Sequence, residues 1–122
     1  MENYLEDFDV YISELVIEEA SSGDPVAAKE RLEVLYGIEQ LKIADEVEKI
    51  ASEYIKLNLL DEKSIRDAFH IAIATYHAMD LLVTWNFKHI ANITIIRQLA
   101  AINEMMGYQS PILCSPAEAM EL

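Results

Sequence analysis

The chain has 122 residues, of which 52% are hydrophobic and 25% charged; this suits one globular domain with its own core, residues 1–122, and excludes a disordered or fibrous chain. Nine Lys and Arg stand against 22 Asp and Glu, a formal charge of −13, so the surface as a whole repels phosphate backbones and anionic membranes, and any nucleic-acid role must be local or metal-assisted. The single cysteine, Cys114, excludes an internal disulfide or a cysteine-based metal cage and suits a reducing cytoplasm, while no apolar run has the length of an export signal or a bilayer span.

In chain order, residues 9–12, Asp-Val-Tyr-Ile, read as a short strand that stops at Ser13, an N-cap for a helix whose apolar side is Leu15, Val16, Ile17 and Ala20. The chain breaks at Ser21-Ser22-Gly23-Asp24-Pro25, where Asp24 caps a second helix and Pro25 takes its first position; Gly37 stops it. Residues 38–43 read as a second strand. Asp45 caps a third helix with Val47, Ile50, Ala51, Tyr54 and Ile55 at helical spacing, ending near Asn58. Ser64 starts the most apolar helix, residues 65–79, which is expected to be mostly buried. Leu81-Leu82-Val83-Thr84-Trp85 is a continuous apolar run, as in a strand covered on both faces. A helix over residues 93–106 ends at Gly107, residues 111–113 form a last strand, and Ser115-Pro116-Ala117-Glu118 has the form of a capping box. Strands alternating with helices predict an α/β fold with a largely parallel sheet.

Glu19 lies beside apolar positions near the end of the first helix. Partly buried, such a carboxylate needs a partner or a metal; grouped with Glu14 and Glu18, it belongs to a solvated acidic face. Asp67, in Ser64-Ile65-Arg66-Asp67, is either the N3 partner of Ser64 in a capping box or a carboxylate at the edge of a parallel sheet, where ligands bind. His70 and His77 share its helical stripe, so Asp67 and His70 are either metal ligands or helix residues with the histidines bonded to backbone carbonyls. Thr84-Trp85-Asn86-Phe87-Lys88-His89 follows the apolar strand, at its carboxyl end; Asn86 suits a hard cation or a substrate hydrogen bond, Lys88 or His89 a phosphate, and the alternative is a packed turn. No GxGxxG, GxxxxGK[ST], GxSxG or HExxH motif occurs, which leaves dinucleotide, ATP, esterase and zincin chemistry without support. Cys114 reads as a small apolar packing residue.

Three segments in order, Tyr11-Ile12-Ser13-Glu14-Leu15-Val16-Ile17-Glu18-Glu19, Asp67-Ala68-Phe69-His70-Ile71-Ala72-Ile73-Ala74 and Asp80-Leu81-Leu82-Val83-Thr84-Trp85-Asn86-Phe87-Lys88-His89-Ile90, resemble successive blocks of a PIN domain, most similar to the VapC-like toxin branch. The resemblance implies a three-layer α/β/α sandwich and a Mg²⁺- or Mn²⁺-dependent endoribonuclease of a toxin–antitoxin system, with RNA as substrate and an antitoxin protein as partner. It implies that Glu19 and Asp67 are metal ligands and that Asn86, where many members carry a further acid, assists them.

The family pattern opens with a strand ending in Asp-x-Ser or Asp-x-Thr, which supplies a first metal-ligating Asp, and Met1 to Asp7 does not match it. The resemblance is therefore to a PIN domain incomplete at its N-terminus. An open sheet of that kind is a template for another chain and leads to an expected homo-oligomer. The other reading of the same pattern is a non-catalytic PIN-like remnant that acts as an oligomeric or partner-binding module.

Overall fold

The computed structural model describes residues 9–84 and 92–119. It divides into two compact units, Met1–Ile43 and Ala44–Leu122.

In the first unit, β1 (Tyr11–Ser13) runs directly into α1 (Glu14–Ala20), and Ser13 serves both elements. It closes the strand, and its Oγ accepts a hydrogen bond from the Val16 amide at 3.2 Å, one of the amides a helix start leaves unpaired. Asp24 Oδ2 then caps α2 (Pro25–Leu35) by accepting from the Ala27 amide at 3.0 Å, and Pro25 sits where its missing N–H costs nothing. Arg31 on α2 reaches back to α1: its Nε donates to the Ala20 carbonyl at 3.1 Å and its Nη2 to the Ser22 carbonyl at 2.6 Å. The cation thereby satisfies carbonyls at the negative end of that helix. Gly37, with φ +84°, turns the chain into β2 (Glu39–Leu41), which pairs parallel with β1, Tyr11 opposite Glu39 and Ser13 opposite Leu41. Parallel neighbours require a crossover, and α1 with α2 supplies it.

The second unit holds α3 (Asp45–Lys56), a 3₁₀ turn at Glu62–Ser64, α4 (Ile65–Tyr76), β3 (Leu81–Val83), α5 (Ile93–Met106), β4 (Ile112–Cys114) and α6 (Pro116–Ala119). Its core is the packing of α3 on α4. Val47, Ile50, Ala51 and Tyr54 recur at i, i+3, i+4 and i+7, as do Ala68, Ile71, Ala72 and Thr75, and all eight are buried. Burying each large apolar side chain contributes about 1.5–3 kcal/mol. β3 pairs parallel with β4, Leu82 opposite Leu113, and α5 lies in the connection between them. α5 is closed by Gly107 at φ +85°, whose amide donates to the carbonyls of Asn103 and Glu104.

The polar residues of this core form one network. Tyr54 Oη donates to Asn103 Oδ1 at 2.6 Å and lies 3.1 Å from Thr75 Oγ1, while Asn103 Nδ2 donates to Thr75 Oγ1 at 3.3 Å and to Ser110 Oγ at 2.9 Å. With the tyrosine proton committed to Asn103, the Thr75 hydroxyl donates to Tyr54. Among the described residues no buried side-chain polar atom lacks a partner.

The fold is α/β with parallel strands, and the capping predictions at Asp24 and Ser115 hold: the Ser115 amide donates to Glu118 Oε1 and the Glu118 amide to Ser115 Oγ, both at 3.1 Å. Several expectations are corrected. The cap of α3 is Ala44, not Asp45, which is the first of three acids in a first turn favoured by the helix dipole. α4 ends at Tyr76 because Ala78 adopts φ +56°, and Ile65, expected in the core, is exposed. β3 is half-buried to exposed rather than covered on both faces, and it stops at Val83. β4 lies one residue later than predicted. Met1–Asp7 and the segment 85–91 lie outside the described residues.

Candidate functional site

Glu19 occupies the last turn of α1, in the first unit. It is half-buried, not part of a fully solvated face, whereas Glu14 and Glu18 on the same helix are exposed. With Val16, Ala20, Arg31, Val34 and Leu35 it lines a groove of about 420 Å³. Arg31, held to the end of α1 by its side-chain bonds to the Ala20 and Ser22 carbonyls, shares this recess with Glu19, so an anionic and a cationic side chain line it together with apolar ones. Sequence reasoning missed Arg31; the available signal was its position as one of only three basic residues, with Lys29 and Lys42, in residues 1–43.

Asp67 occupies the first turn of α4, in the second unit, where the positive helix end favours a carboxylate. The capping-box alternative loses half its support, because the Ser64 side chain makes no capping hydrogen bond. Asp67 and His70 are both half-buried and one turn apart on the same side of the helix. His77 is the C-cap residue of α4, and its ring meets Tyr76 edge-on, with centroids 5.0 Å apart at 85°. Asn86, Lys88 and His89 lie outside the described residues. Among those described, no group of three or more His, Cys, Asp or Glu side chains is placed to hold a metal ion.

Cys114 is buried at the end of β4. Burial, and secondarily the nearby Glu118 carboxylate, push its thiol pKa up, which keeps it protonated and a poor nucleophile. It packs, as the sequence suggested. Among the described residues no helix is long and apolar enough to cross a membrane.

Helices alternating with short parallel strands make this an α/β protein. The PIN domain family matches residues 1–93, a span that crosses both units and includes Glu19, Asp67 and Asn86. The chain belongs to the PIN domain family. Its general character is therefore that of a nuclease-type domain, of a family dependent in general on divalent metal ions. No curated protein and no solved structure matches the chain.

Proposed function

We propose that this protein is a Mg²⁺- or Mn²⁺-dependent endoribonuclease of the VapC-like toxin branch, acting in the cytoplasm and held in check by an antitoxin protein. The observation that carries this reading is the family match over residues 1–93, which takes in all three candidate site residues, Glu19, Asp67 and Asn86.

The donor chemistry fits the ion. Hard divalent cations take oxygen ligands, and Glu19 and Asp67 would offer anionic oxygens. When bound, such an ion supplies positive charge against the phosphate and a Lewis acid for water. That local charge matters here, because the chain's −13 otherwise opposes a polyanion. Asn86 would add a neutral amide, accepting or donating a hydrogen bond at the substrate, and Lys88 or His89 a cation for phosphate.

A second reading, a non-catalytic partner-binding PIN domain, is favoured by the identity of Asn86. An amide in place of a carboxylate removes one negative charge from the ligand set and weakens cation binding. Incubation of the full chain with single-stranded RNA and Mn²⁺ separates the two. The nuclease reading expects cleavage that EDTA abolishes and that Glu19→Gln and Asp67→Asn each reduce at least about 100-fold, with unchanged circular dichroism. No cleavage by the unaltered chain supports the second reading; equal cleavage by both variants removes these residues from the site.

A further inference from the structure

The proposed site takes Asp67 from α4 but gives no role to His70, one turn further along the same helix. α4 is closed in on more than one side. Ala68, Ile71, Ala72 and Thr75 form the stripe that packs in the core with α3, yet Ile73 and Ala74, which fall outside that stripe, are only 2% and 3% exposed. Asp67, His70 and Ala74 recur at i, i+3 and i+7 and so share a second stripe. It runs from a half-buried end at Asp67 and His70 to a closed end at Ala74. Two side chains able to ligate a metal thus stand next to each other where the interior meets solvent.

We infer that an imidazole nitrogen of His70 ligates the same divalent ion as Asp67, so that the site takes a first-row transition ion such as Mn²⁺ in preference to Mg²⁺. This refines the metal-dependent reading proposed above and rests on it. On a helix, side chains three residues apart have Cβ atoms about 5–6 Å apart. A carboxylate followed three residues later by a histidine is also the spacing by which two-metal helix bundles turn both groups onto one metal centre. The donor atoms set the preference. Neutral imidazole suits first-row transition ions, whereas Mg²⁺ favours oxygen donors and gives up its waters reluctantly. α4 need supply no more than these two groups, because waters and phosphate oxygens fill the remaining positions of such an ion. That agrees with the described residues, which hold no preformed group of three or more His, Cys, Asp or Glu ligands.

The test adds Mn²⁺ to the full chain and reads it by pulsed electron paramagnetic resonance, beside calorimetric titrations with Mn²⁺ and Mg²⁺. Nitrogen coupled to the bound Mn²⁺ is expected in the unaltered chain and in His77→Gln, which changes the histidine two turns further along. It is expected to vanish in His70→Gln. That substitution should also weaken Mn²⁺ binding about ten-fold and Mg²⁺ binding less than about two-fold. His70→Asp puts an oxygen ligand in place of the nitrogen, and should bind Mg²⁺ at least about ten-fold more tightly than His70→Gln, with no nitrogen coupling. A histidine that only packs or bonds a backbone carbonyl would give no such reversal. Mn²⁺ that binds through Asp67 without nitrogen coupling, or with coupling that survives in His70→Gln, overturns the assignment of His70 and leaves the metal-dependent reading standing. No binding of Mn²⁺ to the unaltered chain overturns both.

Discussion

Tyr54 donates its phenolic hydrogen to Asn103 Oδ1 at 2.6 Å, joining α3 to α5 inside the second unit. Thr75 on α4 touches both partners, at 3.1 Å and 3.3 Å, so three helices share one buried polar centre. Polar groups without water are costly to leave unpaired and stabilise one arrangement when all are satisfied.

Removing one member should therefore cost more than one hydrogen bond. Tyr54→Phe leaves Asn103 Oδ1 without its donor and Thr75 without its acceptor, in a site with no exposure, and is expected to destabilise the fold by about 1–3 kcal/mol. Urea denaturation of the two proteins measures it. A change below about 0.3 kcal/mol would show that water replaces the hydroxyl.

The same burial sets an alkaline limit. Desolvation raises the Tyr54 pKa from 10.0 to about 12, against the opposing effect of its bonds to Thr75 and Asn103. The folded state thus holds the proton more tightly than the unfolded chain. Its contribution is fully present below pH 10, the unfolded value, and is lost as pH rises through 12. Two units correspond to about 2.7 kcal/mol at most. Thermal unfolding from pH 9 to 12 should show the loss, and Tyr54→Phe should flatten it.

Arg31 carries the geometry of the Glu19 groove through its bonds to the carbonyls of Ala20 and Ser22. Arg31→Met keeps much of the stem and removes both bonds. It is expected to lower stability by about 1–2 kcal/mol and to raise hydrogen exchange at the end of α1. Unchanged exchange there would mean the groove wall stands without the guanidinium.

Gly107 isolates a backbone effect. An added Cβ would meet nothing within 4 Å, yet φ is +85°. Gly107→Ala should cost about 1 kcal/mol through strain alone, and Gly107→Asn less, since Asn tolerates the left-handed region better. Equal midpoints in urea for all three would contradict this.

These residues show where the sequence was legible. Caps at Asp24 and Ser115 and the stop at Gly107 depend on chemistry within a few residues, so spacing alone exposes them. Where tertiary contacts decide, it misled: the positive φ of Ala78 ends α4 early, and Ile65 and Val83 are apolar without being buried. The Tyr54–Asn103 pairing bridges 49 positions and leaves no local signature. At the candidate site, spacing left Glu19 and Asp67 undecided between surface charge and ligand. The family match over residues 1–93 spans both positions, and their role as ligands is the proposal made above, while Arg31, held by backbone carbonyls, follows no side-chain pattern.

The most direct test of the proposed metal-dependent site is isothermal titration of Mn²⁺ into the full 122-residue chain, beside Glu19→Gln and Asp67→Asn. Saturable binding to the unaltered chain is expected, removed or weakened at least about ten-fold by either substitution, since each takes one anionic oxygen ligand from a hard cation. Absence of binding, or binding unchanged in both variants, would contradict it.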